Sequence, residues 1–421
     1  MIETIQVMPG VTLRCYPAER FKQGCLSFQF LRPMNSQEAA LNALIPAVLL
    51  RGTVRRPDLR AITLHLDDLY GASIGALVRR LGDYQTLGLY CGFVEDRFAL
   101  SGDKILEPVM DFLEELLLDP VLEGEGFSHE FVESEKRNLI ATIESERNDK
   151  RAYAAAQMLR KMCSADSFGI PRLGEREQVE RIDSVTAWQH YQRVLRESPA
   201  EIFYVGSAAP ELVARKLRHL FQRIDRAPVT LPAQTPFHDG GAGDYVETME
   251  ISQAKLVMGF TTPITNQNPE FAAMQVFNTV FGAGMTSKLF MNVREKMSLC
   301  YSIGSGYYSS KGIMTVSAGI DADKETVVRD QIRTQLEACR QGDITQEELT
   351  AAKEAILSGL RGIYDSPGSI EGYETTAAIG GLPLTVEEYY RAVEAVTTEQ
   401  VARAAQSVKL HTTYLLKGVA S

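Results

Sequence analysis

The sequence predicts an α+β fold built as two similar halves of about 200 residues each. Three observations carry this expectation. Strand-like and helix-like stretches come in blocks rather than as a strict βαβ repeat. The stretch Ala254–Met285 parallels Gly24–Thr53, each being a strand ending in Phe, a polar Pro-Asn turn, an apolar helix and a Gly-containing break. Residues 226–245, RAPVTLPAQTPFHDGGAGDY, hold three prolines and three glycines in twenty positions, which is the composition of an interdomain linker. The expected division is a first domain over 1–225, a linker over 226–245 and a second domain over 246–421.

Residues 1–31 alternate apolar and polar side chains about Gly10 and Gly24, which predicts two strands and a turn, with Cys25–Arg32 the clearer strand. The polar cluster Pro33–Gln37 ends it and can cap a helix over Glu38–Leu50. Pro46 lies inside that helix, where it removes a donor and clashes with the carbonyl four residues earlier, so a kink or a restart is expected. A second helix, Leu59–Leu69, closes at Tyr70-Gly71; strands follow over Ser73–Arg80 and Tyr84–Val94. Lys104–Leu118 is an amphipathic helix stopped by Asp119-Pro120, and apolar positions from Phe131 to Leu159 predict one long helix over Ser128–Met162. A short helix at Val185–Val194, a buried strand at Glu201–Gly206 and a helix at Glu211–Arg223 complete the half. Beyond the linker and the repeated stretch, strands are expected at Tyr301–Tyr308, Ile313–Ile320 and Thr412–Lys417. Helices are expected at Lys324–Gln341, Gln346–Arg361, Glu387–Glu394 and Thr398–Val408.

Composition narrows the function classes. A formal charge of −10 argues against a nucleic-acid partner held by bulk charge. The basic cluster Arg51, Arg55, Arg56 and Arg60 reads as a solvated loop. No run approaches the roughly 18 apolar residues of a transmembrane helix, so no membrane association is expected, and without a signal-peptide pattern the expected location is cytoplasmic. The six cysteines show no CxxC and read as buried thiols rather than a disulfide framework.

Chemistry is hard to place from the residues alone. The six histidines contain no pair at i, i+3 or i, i+4, and no HxxEH, phosphate loop, dinucleotide fingerprint or nucleophile elbow occurs. The stretch Phe281–Ile303, FGAGMTSKLFMNVREKMSLCYSI, sets Gly282 and Gly284 before a helical pattern, with Arg294 and Tyr301 seven positions apart. The glycines free the backbone for positive φ and close approach of a partner chain. Arg294 offers a forked donor and Tyr301 a hydroxyl, both suited to a peptide carbonyl or a developing oxyanion. A helix with a Gly-rich entry and a solvated end accounts for the same pattern, and Cys300 beside Tyr301 offers a third chemistry.

The order of elements, the string FGAGMTSKLFMNVREKMSLCYSIGSGY and the segment IPRLGEREQVERIDS (Ile170–Ser184) together resemble the pitrilysin/insulinase family of zinc metallopeptidases. The resemblance implies two homologous α/β-sandwich halves forming a clamshell, a metallohydrolase architecture of the LuxS/processing-peptidase kind. It also implies where a metal should sit, and there this sequence departs. Set against the family's HxxEH by way of the triplet Arg51-Gly52-Thr53, Ala43 and Ala47 occupy the two His positions and Pro46 the Glu position. Thr142 stands at the third ligand, with Glu144 close by and Glu135 matching an accessory acid. Methyl groups cannot bind zinc and proline cannot act as a base. No catalytic residue and no cofactor is therefore expected in this chain alone. Arg294 and Tyr301, with Gly282 and Gly284, match the family's second-half substrate clamp. The resemblance thus implies the non-zinc subunit of a heterodimeric processing peptidase. Its partner would be an HxxEH-bearing insulinase-like paralogue that carries the zinc, and its substrate a peptide. An isolated chain could pair with a second copy. The alternative is a structural or peptide-binding pseudoenzyme with no hydrolytic role.

Overall fold

In the computed structural model, which describes residues 2–418, two sheets are laid out on the same plan. The first uses Glu3–Met8 (β1), Val11–Pro17 (β2), Gln23–Pro33 (β3), Ser73–Leu81 (β4) and Tyr84–Val94 (β5). After a small hairpin of Leu122–Glu123 (β6) and Gly126–Phe127 (β7), Ala200–Gly206 (β8) completes it in the order β1-β2-β8-β3-β5-β4. The second uses Gly243–Met249 (β9), Ala254–Thr261 (β10), Ser302–Tyr308 (β11), Ile313–Ile320 (β12) and Lys409–Gly418 (β13), in the order β11-β12-β10-β13-β9. Read from opposite ends, the five strands of the second sheet match five of the six in the first, β2-β8-β3-β5-β4, and leave β1 as an additional edge strand. In each, the last strand of the half pairs antiparallel with the central one (β8 with β3, β13 with β10) and parallel with an outer one (β2, β9). The α+β fold of two homologous halves is met.

Burial explains the centre of each sheet. In β3 Leu26, Phe28 and Phe30 enter the main core with Leu44, Val48, Leu113 and Leu116 from helices Ala39–Leu49 and Leu106–Leu118. In β10 the residues from Leu256 to Phe260 are all buried, and Met158 and Met162 of helix Lys150–Met162 close over Gly259, where a Cβ would come within 2.7 Å of both sulfurs.

The two compact units are assembled from segments far apart in sequence. The first comprises Met1–Glu144, Ile170–Gln234 and Ile363–Thr375; the second comprises Ser145–Gly169, Thr235–Gly362 and Thr376–Ser421. Each borrowed segment carries a buried carboxylate that finds its cation on the host sheet or on the turn of one of its hairpins. In the first unit Glu371, 1% exposed, takes a bidentate ion pair from Arg79 at 2.9 and 2.8 Å and hydrogen bonds from Ser27, Gln29 and Thr375. Thr86 completes the cluster by donating to the Gln29 amide oxygen at 3.1 Å. In the second unit Asp166 meets Lys311 at 3.1 Å, with both side chains essentially out of solvent. Lys311 also donates to the Thr235 carbonyl, and Asp166 accepts from the backbone of Phe168 and His238.

Several expected elements change. The long helix over Ser128–Met162 is two helices, His129–Glu146 and Lys150–Met162, because Asp149 caps the second by accepting from Arg151 N and Ala152 N at 2.9 and 3.0 Å. The N-terminal stretch makes three strands, not two. Helices Arg176–Glu180 and Pro367–Ala378, and strand β9, had no counterpart in the sequence pattern. Pro46 does not restart its helix, which runs as one element over Ala39–Leu49; burial of Leu44, Ile45, Pro46, Val48 and Leu49 offsets the missing hydrogen bond. All six cysteines are buried free thiols.

The Glu371 cluster makes a stability prediction. Arg79→Met strands a carboxylate in the interior and should lower the urea-unfolding free energy by about 3 kcal/mol. Glu371→Gln removes the charge yet keeps the side chain's shape and one acceptor oxygen for Ser27, Gln29 and Thr375, and should cost clearly less. Equal losses in the two variants would show that the charge pairing is not what holds the segment.

Candidate functional site

The first unit's helix Ala39–Leu49 carries three of the positions at which a metal was to be sought. Ala43 is buried, Pro46 is buried and Ala47 is half-buried, so this part of the helix presents two methyl groups and a pyrrolidine ring. Thr142, exposed on His129–Glu146, donates its hydroxyl to the Asn138 carbonyl at 2.9 Å. Glu144 is paired with Arg176, and Glu135 lies 3.5 Å from Arg51 Nη1. Among the described residues no group of three or more His, Cys, Asp or Glu stands together as a metal set would. These side chains do not fit zinc, which needs lone pairs from imidazole, thiolate or carboxylate.

The expected solvated arginine cluster is only half so. Arg55 and Arg60 are exposed, but Arg51 is held by Glu135 and lies over the Phe131 ring at 5.7 Å, while Arg56 pairs with buried Glu115. Glu115 also accepts from the Thr53 hydroxyl. The Arg-Gly-Thr triplet therefore anchors a turn.

One histidine does serve this helix, as structure. Gln85 donates its amide to the carbonyls of Ala39 and Arg172, at 3.1 and 2.7 Å, so its oxygen faces Asn42 and accepts at 2.9 Å. Asn42 then turns its own oxygen to His190 Nε2 at 2.7 Å, which must carry the ring proton. His190 Nδ1 accepts from Arg193 at 2.8 Å. The neutral imidazole is thus dictated by its neighbours, and burial first, with Arg193 and Arg32 adding to it against Glu38, pushes its pKa down to about 4.

The second unit places the other expected residues in two neighbouring cavities. Phe281, stacked on Phe277 at 5.5 Å between ring centres, anchors wide π-type turns over Thr279–Ala283, and a second such stretch covers Leu289–Lys296. Neither Gly282 nor Gly284 adopts positive φ, contrary to the reason first given for them. Gly282 is required by packing, since a Cβ would sit 2.7 Å from the Ser305 hydroxyl and 2.8 Å from Leu289. Gly284 is extended and open. Both line a cavity of about 650 Å³.

Arg294 and Tyr301 face a separate surface cavity of about 380 Å³, with Asp321, Lys324 and Ser298. The structure brings these two together: Arg294 Nε donates to the Tyr301 carbonyl at 3.1 Å, while its guanidinium lies 4.6 Å from the centre of the Phe290 ring. Phe290, the ring against which the Arg294 guanidinium lies, itself lines the glycine cavity. Tyr301 is 60% exposed and its hydroxyl donates to Asp321 at 3.0 Å, a bond that raises the phenol's pKa. Asp321 in turn is held low by Lys324 first and by Tyr301. Asp321 and Lys324 were missed from the sequence because they lie beyond β12 with no spacing signal to Arg294. Phe290, four positions before Arg294 on the same element, was legible as an i, i+4 neighbour and counted only as an apolar position. Burial pushes the Cys300 thiol up to about 11, away from the thiolate form that a nucleophile uses.

Comparison with known proteins follows the same line. Residues 186–356 match the family described as the peptidase M16 inactive domain. The chain is 28% identical over 409 residues to the probable inactive metalloprotease YmfF of Bacillus subtilis, covering 97% of this chain and 96% of that one. It superimposes on a conserved protein from Enterococcus faecalis with a TM-score of 0.92 at 27% identity, covering 100% of this chain and 99% of the other. A peptidase M16 inactive domain from Pseudomonas fluorescens gives a TM-score of 0.81 at 18% identity, covering 100% and 99%.

The His190 chain sets a pH dependence. The unfolded histidine takes up its proton first as pH falls, so stability is full above about 6.5 and declines as pH approaches 4. Between pH 7 and pH 5 this group should account for about 2 kcal/mol of lost unfolding free energy. His190→Gln should flatten that part of the profile in urea titrations, and an unchanged profile would contradict the assignment.

Proposed function

We propose that the chain is an inactive homologue within the M16 peptidase family and, from that premise, that it is the non-zinc subunit of a two-chain processing peptidase. The observation that carries the reading is the asymmetry between the units. The first offers methyl groups and a proline at the metal positions, whereas Arg294 and Tyr301 of the second share one open cavity. A guanidinium and a phenol hydroxyl can hold a peptide carbonyl from two sides and favour it further as negative charge develops. The metal would come from an HxxEH-bearing paralogue, and the substrate is a peptide held through its backbone. The reading sets the pair in the cytoplasm, in keeping with six buried free thiols. Among the described residues no helix is long and apolar enough to cross a membrane.

One observation favours the second reading, a peptide-binding or structural pseudoenzyme. Both clamp groups are already engaged within the chain, Arg294 on a backbone carbonyl and Tyr301 on Asp321, so a substrate must displace these bonds.

The experiment is purification of the chain alone and with an HxxEH-bearing paralogue, followed by zinc analysis and peptide cleavage. The lone chain should hold no stoichiometric zinc and cleave nothing, while the pair should cleave. In the pair, Arg294→Ala and Tyr301→Phe should each lower kcat/KM at least tenfold with assembly and zinc content intact. Cleavage by the lone chain, or full activity of both variants, would overturn the proposal.

A further inference from the structure

We infer that the exposed face of helix Leu59–Asp68, in the first unit, pairs with the same helix of a second copy, antiparallel and about a two-fold axis. None of the cavities described above is involved, and the inference does not depend on the chain handling peptides. Of the ten residues of this helix only Ile62 is buried. Its far side carries Arg60, Thr63, Leu64 and Asp67, all exposed. At about 3.6 residues per turn the spacing i, i+3, i+4, i+7 sets these four on one ridge. Leu64 is 56% exposed, and Leu59 and Val54 beside and before the ridge are exposed as well. Thr63 donates its hydroxyl to the Leu59 carbonyl at 2.8 Å, which leaves its methyl group for an apolar contact.

The order of charges along the ridge is one that the helix by itself opposes. A helix favours acidic side chains in its first turn and basic ones in its last. Here the first turn holds Arg60 and no acid, while Asp67 and Asp68 close the last turn. Neighbours in the chain do not account for it either. Arg51 and Arg56 of the same basic cluster pair with Glu135 and Glu115, whereas Arg60 and Asp67 form no ion pair among the described residues. They stand about 10 Å apart along the axis, beyond the one-turn spacing at which helix pairs meet.

Opposite charges at the two ends of an exposed leucine make a self-complementary strip. Positions 60 and 67, and 63 and 64, share one midpoint. A second copy turned about that point sets its Asp67 against Arg60, its Arg60 against Asp67, and Leu64 against Thr63 at the centre. The two helix dipoles then run antiparallel, and each Arg60 and Asp67 gains the partner it lacks in the single chain. A nucleic acid or an anionic membrane would instead meet Asp67 and Asp68 on the same face. Two helices of ten residues bury less than the roughly 1,200 Å² of a standard interface, so the pair forms in the micromolar range.

The test is sedimentation equilibrium of the full chain across the micromolar range, with the melting temperature as the control for folding. The wild-type chain should show a reversible monomer–dimer equilibrium. Arg60→Asp and Asp67→Arg each set like charges opposite one another in the pair, and each should weaken association at least tenfold. Both substitutions follow the helix dipole, so the melting temperature should hold or rise. Mixed in equal amounts, the two variants restore opposite charges at both contacts, and the mixture should dimerise as the wild type does. If either variant fails to fold, Leu64→Lys asks the same question from the centre of the ridge and should also give monomer. A monomeric wild-type chain, single variants that associate like the wild type, or a mixture of folded variants that does not pair would overturn the inference. So would loss of assembly with an HxxEH-bearing paralogue in the variants, which would give this face to that chain.

Discussion

A carboxylate removed from water must meet a cation and hydrogen-bond donors, and two such carboxylates decide how this chain is assembled. Glu371 and Asp166 each sit on a segment that joins the unit built mainly from the other part of the sequence. Each finds its cation near the β-hairpin flanking the central strand, Arg79 on β4 and Lys311 in the turn between β11 and β12. A helix that slipped by one turn on either host would leave a charge buried without a partner, so the pairs specify placement as much as they stabilise it. The two arrangements differ in kind. Helix Lys150–Met162 docks by methionines over a glycine, with its ion pair just beyond its end. The segment Ile363–Thr375 docks through a polar cluster that reaches Ser27 and Gln29 in the middle of the first sheet.

The same asymmetry runs through the two sheets. Their strand orders agree, yet the first half has turned its helix Ala39–Leu49 into a structural element, pinned by Asn42, Gln85 and His190 and stiffened by a buried proline. A metal helix needs open ligands on one face. This one is held on its polar side by amides and on its apolar side by core packing, which leaves chemistry nowhere to attach.

In the second half the polar groups stay at the surface. Arg294 and Tyr301 are each held by one hydrogen bond at an open cavity, and the Phe290 ring beside Arg294 lines the neighbouring glycine cavity. Phe290 and Arg294, four positions apart on Leu289–Lys296, meet on one face of that element.

Local chemistry was legible in the sequence by itself. Strand β3, the helices with periodic apolar faces and the repeat between the halves follow from hydrophobic patterning, while Ala43, Pro46 and Ala47 read as positions without metal ligands only through the resemblance to the family's HxxEH. Tertiary structure alone decided which segments exchange hosts, because a lone Glu371 or Asp166 in a sequence does not say which cation it will meet. It also decided that Gly282 answers to packing rather than to φ, and that Asp321 holds Tyr301, since both depend on neighbours brought in from other elements. The break at Asp149 lies between these cases: an apolar period runs straight through it, and only the competing cap, a side chain accepting two backbone donors, ends one helix and starts the next.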